Sequence, residues 1–311
     1  MSTPLVSVCM TTYNHEAYIR EAIESVLAQQ TSFGVELVIG EDCSTDRTAE
    51  IVRACAAQYP GQVHVVSDTK NVGWRANYRR TFEACRGRYV AYLDGDDKWC
   101  DPQKLQMQVE LLENDPSCGM CCTDAIDFYQ ATGEQRPWPH ARYTDFDRLL
   151  LRTTIANCTA LARRDLIARY YAEVRPAEHP EWRTDDWPMW LWFASRSHIR
   201  LMERPTAIHR RLPESVSHTT AYQDRIAFRD SLMEISLWFD DHYGNSRNRF
   251  RILRERMAVA LWILSWEGPA GEYLTRWWTD VRQTPRLVLC PEGAGLFVKK
   301  ILFRHSKNRP L

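Results

Sequence analysis

Three carboxylates lie close together at the end of an apolar segment in the first hundred residues. The segment RYVAYLDGDDKW is strand-like up to Leu93 and then presents Asp94, Asp96 and Asp97. A helix cap needs one acceptor and neighbouring carboxylates repel each other, so capping does not explain all three acids. A divalent cation would neutralise this repulsion, and hard cations prefer oxygen ligands. The segment therefore predicts a site for Mn²⁺ or Mg²⁺, with phosphate oxygens at the coordination positions that the protein leaves open.

More polar residues follow two earlier strand-like segments. LVSVCM is followed by Thr11, Tyr13 and Asn14, and ELVIG is followed by Glu41 and Asp42. In an open parallel sheet, ligands bind beyond the carboxyl ends of the strands. We therefore expect these side chains to converge with the three acids on one edge of a sheet.

The elements that must position these residues alternate between strand and helix. The predicted strands are Leu5–Met10, Glu36–Gly40, Val63–Ser67 and Tyr89–Leu93, and the predicted helices are Tyr18–Gln30, Thr45–Tyr59, Trp74–Cys85 and Pro102–Asn114. Such alternation indicates a Rossmann-like α/β fold, in which a mostly parallel sheet is flanked by helices.

The rest of the chain has a less regular pattern. It predicts a helix at Phe146–Arg152, a strand from Asn157, and longer helices at Tyr222–His242 and Phe250–Glu267. We predict that residues 1–220 form one α/β domain that carries the chemistry. Residues 221–311 are predicted to be a helical extension that ends in a basic, amphipathic tail.

The composition is that of a globular protein. Of 311 residues, 44% are hydrophobic, and forty basic residues balance forty acidic ones, so no nucleic-acid partner is predicted. The ten cysteines are irregularly spaced, and we interpret them as free thiols of a cytoplasmic protein. Cys118, Cys121 and Cys122 have no second pair of zinc ligands in the sequence, and we predict that they lie in a buried strand.

Three blocks of the sequence resemble, in order and spacing, the N-terminal half of a family 2 glycosyltransferase with a GT-A fold. They are VSVCMTTYNHEAYIREAIESVLAQQ, ELVIGEDCSTDRTAEIV and NVGWRANYRRTFEACRGRYVAYLDGDDKW. The resemblance is dense over residues 4–115 and looser to about residue 218. It implies a hexosyl- or N-acetylhexosaminyl-transferase that takes its sugar from a nucleotide-diphosphate donor, with a UDP-sugar expected.

The resemblance also implies roles for individual residues. Asp42 would accept the N3–H of uracil, Asp96 of the D-x-D motif would ligate the cation that bridges the diphosphate, and Arg75 could neutralise phosphate. The donor-binding set is Thr11, Tyr13, Asn14, Glu41, Asp42, Asn71, Gly73, Arg75, Asp94, Asp96, His209 and Arg210, and the metal set is Asp96, Asp97 and His218. Glu41 and Asp185 differ from the commonest family residues but keep a carboxylate.

A transferase needs a base to take the proton of the acceptor hydroxyl. The family carries this carboxylate in an acidic pair before a helix rich in Trp and Leu. Here RTDDWPMWLWFA supplies Asp185 and Asp186, and Asp186 aligns with the base. The alternative is a purely structural one, in which Thr184 or Asp185 caps the helix ahead of Pro188.

The segment IHRRLPESVSH resembles the part of the family that closes over the nucleotide. His209, Arg210 and His218 are candidates to contact phosphate or metal, and a structural role for the histidines stays open. The Q-x-x-R-W signature of processive synthases is absent, which indicates that one sugar is added per encounter.

The implied reaction is an inverting displacement in surface polysaccharide or glycolipid assembly. Two alternatives are a sugar nucleotidylyltransferase, which expects a glycine-rich loop where CMTTYNHEAY has no glycine, and a non-catalytic nucleotide-sugar-binding module. The acceptor is expected to be a glycan or a lipid-linked sugar. The C-terminal tail suits either peripheral contact with the inner face of an anionic membrane or packing on the domain or on a homodimer partner.

Overall fold

The computed structural model describes residues 3–138, 143–152, 154–212 and 221–290. The chain forms two compact units. The first comprises residues 1–179 and 185–212, and the second comprises residues 180–184 and 213–311. The domain division predicted after residue 220 falls at the edge of residues 213–220, which are outside the described residues, and it stays a prediction.

The first unit is built on a mixed sheet that has nine strands in the described part of the chain. The strands are β1 (Val6–Thr12), β2 (Val35–Glu41), β3 (Val63–Ser67), β4 (Tyr89–Asp94), β5 (Lys98–Trp99), β6 (Cys118–Tyr129), β7 (Glu134–Pro137), β8 (Leu161–Arg163) and β9 (His198–Arg211). The helices of this unit are α1 (Ile19–Leu27), α2 (Thr48–Gln58), α3 (Trp74–Ala84), α4 (Lys104–Asn114), α5 (Phe146–Leu149), α6 (Arg164–Val174) and α7 (Asp186–Arg196).

One half of the sheet is parallel, as predicted. Its strands lie in the order β3-β2-β1-β4, and the register places Thr12 beside Glu41 and Thr11 beside Asp94. Strands and helices alternate along this part of the sequence, and such alternation gives parallel strands. As expected for strands of a parallel sheet, β1, β2 and β4 are buried along nearly their whole length. The carboxyl ends of β1, β2 and β4 therefore meet at one edge.

The other half of the sheet is mixed. Strand β8 pairs antiparallel with both β4 and β6, and β9 runs parallel to β6. The short strand β5 pairs antiparallel with β9, placing Lys98 beside Ile208. This pairing brings the residues that follow β4 next to the end of β9.

Two sequence predictions were wrong in detail. Residues from Asn157 form a 3₁₀ turn at Asn157–Thr159 before β8 begins, because the side chain of Asn157 bonds outside the sheet ladder. The helix predicted from Phe146 ends at Leu149. The strand predicted for Cys118, Cys121 and Cys122 is confirmed: all three are buried in β6, and all ten cysteines are free.

The second unit contains three helices in its described part, α8 (Tyr222–Tyr243), α9 (Arg249–Trp266) and α10 (Ala270–Gln283). The first two confirm the prediction, and α10 was missed. Met257, Leu261 and Tyr273 lie in their common core. Among the helices of the described residues, none combines the length and the apolar composition that a membrane span requires. The basic end of the predicted tail, residues 291–311, lies outside the described residues, so membrane contact and a dimer stay predictions.

Candidate active site

The carboxyl end of β4 turns sharply through the sequence DGDD. The N–H of Asp97 donates to the carbonyl of Asp94 at 3.0 Å, and the N–H of Gly95 donates to the carbonyl of Thr11 at 2.9 Å. A Cβ at Gly95 would lie 2.6 Å from Oγ1 of Thr12, so the turn can approach β1 only with glycine at this position. The three acids are thereby displayed on a tight turn at the edge of the sheet.

The three carboxylates have different surroundings. Asp94 accepts hydrogen bonds from Oγ1 of Thr11 at 2.9 Å and from Nδ2 of Asn157 at 2.8 Å. Asp97 is 3% exposed and accepts from the backbone N–H of Arg210 at 2.7 Å. Asp96 is half-buried, and its carboxylate has no hydrogen-bond partner in the part of the chain that the structure describes. Its oxygens are therefore available to a ligand.

This crowding changes the protonation of the turn. Burial raises the pKa of Asp94, and repulsion from Asp96 adds to the effect. Burial also raises the pKa of Asp97, to about 7, although His209 opposes the rise. The charge on the turn is thus only partly compensated by the protein, which favours binding of a cation.

The residues present fit a metal that is bound in part by its ligand. No cluster of three His, Cys, Asp or Glu side chains that could hold a metal occurs within the described residues. His218, one of the predicted metal ligands, lies outside them. Magnesium and manganese sites often use one or two carboxylates and leave the other positions to phosphate and water. Asp96 suits such a site, whereas Asp97 is directed to the backbone of β9.

The loops after β1 and β2 are tied to each other. Asn14 has a φ of 56°. Its N–H donates to Oγ of Ser44 at 3.0 Å, and its Oδ1 accepts from the N–H of Thr45 at 2.8 Å. Glu41 is buried and accepts from the N–H of Ser44 at 2.7 Å. Asn14 and Glu41 therefore shape the loops, while Tyr13 is exposed beside them.

Asp42 holds the segment that precedes α3. It is 2% exposed, and its two oxygens accept from the N–H groups of Val72 at 2.8 Å and Gly73 at 3.0 Å. Nδ2 of Asn71 donates to the carbonyl of Asp42 at 2.9 Å. Gly73 has a φ of 85°, a conformation that other residues adopt only with strain. Three of the predicted donor-binding residues thus form one connected unit.

The predicted acidic pair lies at the start of α7. Asp186 is half-buried and its Oδ1 accepts from the N–H of Trp187 at 2.7 Å. Asp185 is buried and accepts from Nε of Arg75 at 3.0 Å. Burial raises the pKa of Asp185 to about 6, against the opposing effect of Arg75. The structure therefore brings Arg75 to the acidic pair.

His209 and Arg210 belong to networks that stabilise the end of β9. Nδ1 of His209 pairs with buried Asp127 at 2.8 Å. Burial opposes protonation of His209, but Asp97 and Asp127 raise its pKa overall. Nη1 of Arg210 donates to the carbonyl of Asp96 at 2.6 Å, and Nη2 donates to Glu21. Arg210 therefore supports the acidic turn from β9, whereas His209 is bonded to β6.

Sequence reasoning missed several partners of these residues. Asn157 bonds both Asp94 and the hydroxyl of Tyr78. Glu21 pairs with Arg210, and Asp127 pairs with His209. A signal existed for Asn157, since an amide among the apolar residues of IANCTALA needs a buried partner. For Glu21 and Asp127 the pairing is distant in sequence and has no local signal.

Comparison with known sequences gives a consistent set of relatives. The family model described as Glycosyl transferase family 2 matches residues 7–170. Uncharacterized protein Rv1520 of Mycobacterium tuberculosis is 33% identical over 268 residues, covering 83% of this chain and 74% of the relative. The putative teichuronic acid biosynthesis glycosyltransferase TuaG of Bacillus subtilis is 39% identical over 109 residues, covering 35% of this chain and 42% of TuaG.

Comparison with solved structures shows the fold. S. aureus TarS 1–349 in complex with UDP-GlcNAc superposes with a TM-score of 0.64 at 15% identity, covering 96% of this chain and 91% of TarS. Mannosyltransferase PcManGT from Pyrobaculum calidifontis, in complex with GDP-Man and Mn²⁺, has a TM-score of 0.56 at 17% identity, covering 99% of this chain and 89% of PcManGT.

Proposed function

Because this chain belongs to glycosyltransferase family 2, we propose that it moves one sugar from UDP to an acceptor hydroxyl, with a divalent cation and with inversion of configuration. The family membership and the GT-A fold confirm the prediction from sequence, and the chain is a glycosyltransferase. The donor, the metal, the stereochemistry and the acceptor are the proposed parts.

The carboxylate of Asp96 is the main support for this function. Three acids share a tight turn, two of them are bonded by the protein, and the carboxylate of Asp96 has no partner among the described residues. The carboxylate of Asp96 is only half-buried, so a ligand can reach it and bind without first displacing a bond to another described residue. A cation carried by a nucleoside diphosphate supplies both the positive charge and the remaining ligands.

UDP is the proposed nucleotide because of Asp42. Val72, Gly73 and Arg80 donate to its carboxylate, which leaves about one of its roughly four lone-pair sites. That site could accept the N3–H of uracil, as the family resemblance implies. The structures of TarS with UDP-GlcNAc and of PcManGT with GDP-Man support a nucleotide-sugar donor in general.

The metal would be held by Asp96, with Asp94 and Asp97 contributing charge from the same turn. When bound, Mn²⁺ or Mg²⁺ would neutralise the negative charge that develops on the leaving diphosphate. The complex of PcManGT with Mn²⁺ supports a metal in this fold. Thr11 and Asn157 hold Asp94 in place, and Arg210 holds the backbone of Asp96.

Asp186 is the proposed base. It takes the proton of the acceptor hydroxyl while the acceptor oxygen forms its bond to the anomeric carbon. The bond between that carbon and the diphosphate oxygen breaks on the opposite face, so the configuration inverts. UDP leaves as an anion and needs no proton, so a single carboxylate suffices.

The acceptor is proposed to be a sugar of a surface polysaccharide or a glycolipid. The similarity to TuaG, described as a putative teichuronic acid biosynthesis glycosyltransferase, supports this class of acceptor and covers 35% of this chain. We also propose that the enzyme is cytoplasmic and binds such an acceptor at the membrane surface.

Substitution of the base tests the proposal directly. We expect Asp186→Asn to lower the rate of UDP release from a UDP-sugar by about 10³-fold, because general base catalysis typically contributes 10²- to 10⁴-fold. UDP affinity, measured by calorimetry, should stay within about twofold of wild type. Asp165→Asn, an exposed acid in the first turn of α6, is the control and should change neither quantity. Full activity of Asp186→Asn would refute the assignment.

A further inference from the structure

Arg75 connects the donor segment to the acidic pair across a long stretch of sequence. It is the second residue of α3, directly after the Gly73 segment that Asp42 holds. Its Nε donates to Oδ1 of Asp185 at 3.0 Å, and its Nη1 donates to the carbonyl of His179 at 3.3 Å. The guanidinium also packs over the ring of Trp74, 4.8 Å from its centroid. Three contacts thus fix the orientation of this side chain.

The pair is shielded from water. The side chain of Arg75 is 22% exposed and that of Asp185 is 6% exposed. Buried ion pairs of this kind are strongly coupled, because removal of one partner leaves the other charged and desolvated. An ion pair on the surface contributes much less to stability. Arg75 is therefore placed to control the position of Asp185.

Asp185 does not cap the helix that it precedes. No side-chain capping bond is formed at the start of α7, and the carboxylate of Asp185 is directed to Arg75. Asp186 is the first residue of α7. The backbone of the proposed base is thus joined directly to a residue that α3 holds in place.

We propose that Arg75 is a positioning residue that acts through Asp185 to fix the first turn of α7 and to orient the carboxylate of Asp186. This inference rests on the proposed role of Asp186 as base. It differs from a role for Arg75 in neutralising the donor phosphate, because the two roles predict different effects on UDP binding.

A double-mutant cycle separates the two roles. We expect Arg75→Met to lower kcat for UDP release from UDP-GlcNAc by about 10- to 100-fold, since a small displacement of a catalytic group is that costly. UDP affinity should remain within about twofold. Arg75→Lys keeps a charge beside Asp185 and should recover part of kcat. In an Asp185→Asn background, Arg75→Met should cost less than about twofold further, because the partner is already lost.

The matched control is Arg79→Met. Arg79 lies on the same helix, but its pair with Glu83 is about half exposed. We expect kcat of this variant to stay near wild type. Additive losses in the double mutant would show that Arg75 does not act through Asp185, and a fall in UDP affinity with unchanged kcat would show that Arg75 acts on the phosphate. Either result would overturn the inference.

Hydrogen exchange tests the same link without activity. The amides of Met189 and Trp190 close the first turn of α7, and we expect them to exchange faster in Arg75→Met than in wild type or in Arg79→Met. Unchanged exchange at these amides would overturn the inference. If wild type released no UDP from any UDP-sugar, the proposed function would fail, while this measurement would still decide whether Arg75 holds α7.

Discussion

Glu36, at the amino end of the parallel half-sheet, and Asp96, at its carboxyl end, are carboxylates with opposite surroundings. At the amino end, Glu36 is 3% exposed and accepts from Oγ of Ser7 at 2.6 Å and from the backbone and guanidinium of Arg86 at 2.6–2.9 Å. At the carboxyl end, the acidic turn leaves Asp96 without a partner among the described residues. One carboxylate is saturated by the protein, and the other is left for a ligand.

The pKa values follow this contrast. Burial acts to raise the pKa of Glu36, but the hydrogen bonds from Ser7 and Arg86 outweigh it and lower the pKa. On the acidic turn, burial and mutual repulsion raise the pKa of Asp94 and of Asp97. The half-sheet thus has a carboxylate with a lowered pKa at its amino end and two carboxylates with raised pKa values at its carboxyl end. We interpret the raised pKa values on the acidic turn as a loss of stability that accompanies a binding site.

The largest effect on stability is expected at the amino end. Glu36→Gln should lower the free energy of unfolding by about 2 kcal/mol at pH 7, because it breaks a buried, charge-assisted network. Since the pKa of Glu36 is lowered on folding, its contribution is present above its unfolded pKa, about 4.3, and is lost as the pH falls through the folded value. Urea unfolding at pH 7 and at pH 3 measures both quantities.

The control for this variant is Glu50→Gln, whose pair with Arg47 is exposed. Its free energy of unfolding should stay close to that of wild type, because an exposed ion pair is screened by solvent and contributes little. If the two variants lost equal free energy of unfolding, the hydrogen bonds to Glu36 would contribute no more than an exposed ion pair. The contrast between Glu36 and the acidic turn would then have no energetic basis.

A smaller effect is expected at Lys104, a fully buried cation whose Nζ donates to the carbonyl of Thr159 at 3.2 Å. Burial lowers the pKa of Lys104 to about 8. Between about pH 8 and pH 10 the unfolded chain holds this proton more tightly, so the contribution of Lys104 to stability rises with pH. Lys104→Met should be more stable than wild type by about 1 kcal/mol at pH 7.

This advantage should shrink towards pH 10, because Lys104 is then neutral in the folded wild type. Thermal unfolding of both proteins from pH 7 to pH 10 gives the difference. A constant difference over this range would mean that Lys104 stays charged when buried. It would also contradict the claim that the buried charge of Lys104 lowers the free energy of unfolding.

Much of the parallel half-sheet was predictable, because its strands and helices have clear local patterns. The predicted strand Val63–Ser67 matches β3 at both ends, and helix α1 buries Ile19, Ala22, Ile23 and Val26 at helical spacing. The acidic turn was predictable for the same reason, since its residues are adjacent in sequence. The confirmed family followed from three such local blocks.

What was missed depends on contacts between distant residues. Asn157 was assigned to a strand because its neighbours are apolar, but its bond to Asp94 spans 63 positions. Arg75 was predicted to meet phosphate, and its pairing with Asp185 across 110 positions could not be read from either segment alone. Local pattern therefore identified the acidic residues, while their partners required the fold.

The most direct test of the account is a calorimetric titration of UDP, with and without Mn²⁺, into wild type and Asp96→Ala. We predict that wild type binds UDP at least about tenfold more tightly with Mn²⁺, a difference of about 1.4 kcal/mol, and that Asp96→Ala loses this dependence while folding normally. Equal UDP affinity in the two proteins, or UDP binding by wild type that is indifferent to the metal, would contradict the claim that the acidic turn exists to bind a cation and a diphosphate.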